Sequence, residues 1–157
     1  MKDILTILRL VEKLEESLSN LYDWLSNKFS DNQEARSFFN QLSFEENSHR
    51  NLVSYQIRVA RQNKDLFADV EADVEGIKNA LEKIKLIMDN SSLSFEDAVR
   101  LTVEIESTLA EQYAVILMKQ SIKEFSKLID SLGSGFKEHH NNLKKMANKY
   151  NIVFYKL

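Results

Sequence analysis

The chain has 157 residues, with 43% hydrophobic side chains, 21 basic and 24 acidic groups for a formal charge of −3, no proline and no cysteine. That composition suits one domain with a sizeable core, and it excludes disulfides, thiolate metal sites, cysteine-held iron–sulfur centres and thiol catalysis. No basic tract is dense enough for nucleic acid, and the charges that cut MKDILTILRLVEKLEE exclude a signal peptide and a membrane span, so a cytoplasmic location is expected.

Gly76, Gly133 and Gly135 are the only glycines, so with proline absent the chain reads as nearly all helix. The first helix is predicted over about 2–29, followed by a turn at Ser30-Asp31-Asn32. Asp31 with Glu34 has the pattern of a capping box and opens a second helix, carried to about residue 62. Residues 63–75 are polar and acidic and read as a connection. A shorter amphipathic segment follows, with Ile77, Leu81, Ile84 and Ile87 on one face, and Asn90-Ser91-Ser92 ends it. Ser94 with Asp97 opens a third long helix to about 119, and Ser121 with Glu124 opens a fourth to about 150. Short turns inside each pair predict two antiparallel hairpins. The expected organisation is a single domain over 1–157: hairpin 1–62, helical crossover 63–93, hairpin 94–150.

An offset of 91 residues aligns the two halves. It pairs Arg9 with Arg100, Glu15 with Glu106, Tyr22 with Tyr113, Lys28 with Lys119, Ser43 with Ser134 and His49 with His140, so the hairpins read as a repeat. Polar residues interrupt the core stripes at related places. The first helix carries Leu8, Val11, Glu15, Leu18, Tyr22 and Leu25. The third carries Val99, Thr102, Glu106, Leu109, Tyr113 and Ile116, and the second Leu42, Glu46, His49 and Val53. Such spacing turns all members of a stripe toward the bundle interior. A buried carboxylate needs a partner or a proton, and divalent cations compensate several at once. Glu15, Glu46, His49, Glu106 and His140 are therefore the candidate metal ligands. Against each stands a simpler reading, a core residue held in an ion pair.

The Glu15–Tyr22 and Glu106–Tyr113 spacings of seven, with Glu46-Asn47-Ser48-His49 between them, resemble the rubrerythrin-like branch of the ferritin-like superfamily. The resemblance covers LEESLSNLY through FEENSHRNL and IESTLAEQY through FKEHHNNL. It implies a ferritin-like four-helix bundle around a dinuclear carboxylate centre, in which two helices give one Glu each and two give Glu-x-x-His. Tyr22 and Tyr113 are then expected to hydrogen-bond site carboxylates. The chain departs from the pattern at Lys137, three residues before His140, where the family has glutamate. Glu138 does not replace it, because one residue is a rotation of about 100° around a helix. An ammonium among Glu15, Glu46 and Glu106 would stand in for the charge of one metal.

What the resemblance implies is a metal-binding protein carrying iron, one or two ions, with manganese or zinc as alternatives. The implied activity is that of an oxidoreductase: reduction of peroxide or oxygen, or oxidation of ferrous iron. Without a cysteine-rich rubredoxin domain, a separate electron donor would be needed. A homodimer is expected, with neither nucleic acid nor membrane as partner. The competing reading is a non-catalytic interaction or scaffold bundle whose metal site has become a buried ion-pair network.

Overall fold

The computed structural model describes residues 3–62, 72–107 and 134–152, and the side chains of all of these but 134–140. Within them the fold is all-α and ferritin-like, built from α1 (Ile4–Lys28), α2 (Gln33–Gln62), α3 (Val74–Met88), α4 (Phe95–Glu106) and α5 (Ser134–Lys149). In α1 the buried positions are Ile4, Ile7, Leu8, Val11, Leu14, Glu15, Leu18, Leu21, Tyr22, Leu25 and Ser26, the three-and-four spacing of a single face. α2 returns alongside it with Phe38, Phe39, Leu42, Glu46, His49, Val53 and Ile57 turned inward.

Cross-helix polar contacts set the register of this hairpin. Glu12 accepts from Ser54, Arg50 Nη2 lies 3.3 Å from Glu16, Ser19 bonds Ser43, and Ser26 donates to Asn40 Oδ1 at 2.9 Å. Numbers rise on α1 as they fall on α2, so the two helices are antiparallel. This register sets Glu15 opposite Glu46 and His49.

The turn between them differs from expectation in its cap. Asn32, not Asp31, opens α2: its Oδ1 accepts the Ala35 amide at 3.1 Å. Glu34 is spent elsewhere, in an ion pair with Lys149 at 2.5 Å. α3 begins inside the stretch expected as a connection, because Asp73 caps it by accepting the Gly76 amide at 2.9 Å, while residues 63–71 lie outside the described residues. A Cβ at Gly76 would collide with that same Asp73 carboxylate, so glycine lets the cap close. α3 lays Ile77, Ala80, Ile84 and Ile87 on the core and packs against α1, while Leu81 is only half-buried.

Ser94 caps α4 as expected, accepting the Asp97 amide at 3.1 Å. α4 closes at Glu106 with Ser107 as its C-cap, and the rest of the expected run to 119 lies outside the described residues. Thr102, Val103, Ile105 and Ser107 are β-branched or short polar residues that weaken a helix. Ser121, Glu124 and Gly133 lie outside the described residues; Gly135 lies within α5. α5 buries Leu143, Met146 and Ala147 and packs on α4 and α2. It ends in a Schellman turn: Asn151 takes φ 54°, and the Ile152 amide reaches back to Ala147 O at 2.8 Å.

At this end of the bundle aromatic rings tie the elements together. Phe39 contacts Phe29 at 6.1 Å and Phe95 at 5.9 Å between centroids, and Phe95 meets Tyr150 edge-on at 5.2 Å. Tyr22 stacks on Phe39 at 6.4 Å, linking the ring cluster to the polar residues two turns further along α1.

Candidate metal centre

Glu15 stands in the middle of α1 and Glu46 and His49 one turn apart in α2, all on faces that pack against the partner helix. Both glutamates are 0% exposed and His49 is 5% exposed. His49 Nδ1 lies 3.1 Å from Glu46 Oε2 and 3.6 Å from Glu15 Oε2. The first distance is a hydrogen bond; the second is too long for one. Neither oxygen of Glu15 accepts a hydrogen bond from a described residue. A carboxylate so placed has lost its hydration without replacing it, which is the state a cation relieves.

The electrostatics follow from burial. It pushes the Glu15 carboxyl up to about 8, against the pull of His49 and with the help of the Glu46 charge. For His49 burial alone would lower the value, but the Glu46 and Glu15 carboxylates outweigh it and carry the imidazole up to about 10. Without an ion, the group therefore holds protons that a free glutamate and histidine would release at neutral pH.

One ligand atom from each of Glu15, Glu46 and His49 lies within 4.8 Å of the others, and this is the group of that kind among the described residues. Carboxylate oxygens with an imidazole nitrogen form a donor set suited to iron, manganese or zinc. The residues present thus fit a divalent ion.

A family model for Rubrerythrin matches residues 7–147. The chain belongs to the Rubrerythrin family. No curated protein and no solved structure matches it at a significant level.

Of the ligands expected of a Rubrerythrin-family chain, the structure brings together Glu15, Glu46 and His49 and does not add Glu106 to them. Glu106 is half-buried at the last turn of α4, where its Oε1 accepts the Tyr22 hydroxyl at 2.5 Å. A helix C-terminus disfavours a carboxylate, and the tyrosine proton offsets that. Tyr22, itself 0% exposed, is in this way a buried polar link between the two hairpins. Tyr113 and the side chains of Lys137 and His140 lie outside the described residues. The sequence reading passed over Gln56, a buried amide on the α2 stripe seven residues after His49. Extending that stripe by one heptad, from Val53 to Gln56 and Ala60, would have found it. Among the described residues no helix is long and apolar enough to cross a membrane.

Proposed function

We propose that this Rubrerythrin-family protein binds a divalent metal through Glu15, Glu46 and His49 and acts as an oxidoreductase on ferrous iron or on peroxide or oxygen. The observation that carries the reading is the Glu15 carboxylate, fully buried, with neither oxygen hydrogen-bonded by a described residue, facing a second carboxylate and an imidazole. The chemistry an iron ion would supply there is one-electron transfer between its ferrous and ferric states. The protein's own part is to hold the ion and to screen it. Val11, Leu18, Leu42 and Val53, the neighbours of the three side chains along the two stripes, are all 0% exposed and keep bulk water out. Glu15 and His49 retain protons in the metal-free state, and their release accompanies binding. A chain without cysteine has no thiolate relay of its own, so a separate protein is proposed as electron donor.

Anaerobic titration with ferrous iron followed by peroxide tests this. Iron should bind and then oxidise faster than in buffer, and Glu15→Gln and Glu46→Gln should abolish both effects. Iron that oxidises no faster on the protein than off it would remove the oxidoreductase half of the reading.

One observation favours a second reading. His49 Nδ1 and Glu46 Oε2 form a buried pair at 3.1 Å, in which each offsets the other's charge. On that reading the bundle is a non-catalytic interaction module, and untagged protein from iron-rich medium would carry no metal.

A further inference from the structure

We propose that the centre holds one divalent ion per chain, built by the α1–α2 hairpin alone, in place of a two-metal site shared between hairpins. The inference rests on the metal-binding reading above and narrows it. Among the described residues, the three that close within 4.8 Å all come from α1 and α2, so this hairpin by itself forms a ligand group. Glu15 adds the unsatisfied acceptor, with both oxygens buried and no described donor. Glu106, which the repeat sets at the place of Glu15 in the second hairpin, is not among these three.

Charge leads to the same count. Two carboxylates and a neutral imidazole balance one dication. A second dication in this low-dielectric interior needs further anionic ligands, because uncompensated buried charge is costly. At the positions where the repeat would set the second pair of carboxylates, the sequence has Glu106 and, three residues before His140, Lys137 in place of a glutamate. A lysine cannot ligate while protonated. The repeat thus carries its metal-holding pattern intact in one copy and broken in the other.

Manganese(II) added alone to the metal-free protein tests the count. Calorimetric titration should end at one manganese per chain, and the electron paramagnetic resonance spectrum should be that of an isolated ion, not of an exchange-coupled pair. Glu106→Gln keeps an acceptor for Tyr22 and should leave both stoichiometry and dissociation constant unchanged within about threefold. Glu46→Gln should weaken binding more than about a hundredfold, beyond the range of second-shell losses. Far-ultraviolet circular dichroism of each variant separates lost ligands from lost fold, and if Glu46→Gln loses helicity then Glu15→Gln carries the same expectation. Two manganese ions per chain, a coupled spectrum, or loss of the ion in a helical Glu106→Gln protein would overturn the proposal. No binding by the wild-type chain would remove the metal-binding reading itself, and this inference with it.

Discussion

Glu15 and His49 bind protons more tightly in the folded chain than in the unfolded one, and that difference has a sign. Between 4.5 and about 8 the unfolded chain has released the Glu15 proton while the folded chain keeps it. Between 6.5 and about 10 the same holds for His49. The unfolded state therefore binds fewer protons throughout, and the stability of the metal-free protein falls as pH rises across the combined window. Urea unfolding from pH 5 to 10 should show this decline, and Glu15→Gln should flatten its lower part, below about pH 8. Unchanged slopes in the variant would mean that Glu15 ionises freely in the fold. Metal reverses the preference, since a ligating carboxylate and imidazole must both be deprotonated, so adding zinc or manganese near pH 7 should release up to about two protons per ion into a weak buffer. These three residues were legible in the sequence because each is a polar misfit on an apolar stripe, and a stripe is readable without knowing the fold. The partner of Glu106 was legible only as a class, a tyrosine hydroxyl. That Tyr22 bonds the carboxylate of the opposite hairpin, not its own stripe neighbour Glu15, depends on how the hairpins sit against each other.

Helix ends tell a similar story one level up. The stripe of each long helix fixes its buried face, and the faces of α1, α2 and α3 follow the apolar spacing. Ends depend on single hydrogen bonds, and adjacent Asp31 and Asn32 are both good caps by composition. Only the path of the turn selects Asn32, whose side chain reaches Ala35 while Glu34 is drawn away to Lys149. Asn32→Ala should accordingly cost about 1 kcal/mol in urea unfolding, and Asp31→Ala much less. Equal losses would return the cap to Asp31. The close of α4 at Glu106 had a signal in its run of β-branched and short polar residues, but such propensities are weak beside tertiary packing and do not fix a boundary.

For the molecule as a whole, the ring cluster at the Phe29 end joins what the metal-site residues do not. Phe39 is 0% exposed and touches rings on α1, α2, the turn and α4, so Phe39→Ala should destabilise the fold by about 3–5 kcal/mol. Because the ring lies apart from the three polar residues, the manganese stoichiometry of the folded fraction should not change; a lost ion would show that the cluster also shapes the site. Consider finally where Glu15 and Glu46 fall along the chain. An ion between them closes a loop of about thirty residues and so acts as a removable cross-link, worth roughly 3–4 kcal/mol in unfolded-chain entropy if it holds as a covalent bridge would. Such a staple fastens the first hairpin to itself and leaves untouched the seam with the second hairpin, where the described contacts include the Tyr22–Glu106 hydrogen bond, the Glu34–Lys149 ion pair and the ring cluster. On loading, amide hydrogens of α1 and α2 should then exchange much more slowly, while those of α4 keep nearly their metal-free pace: two halves of one repeat, with separate clocks.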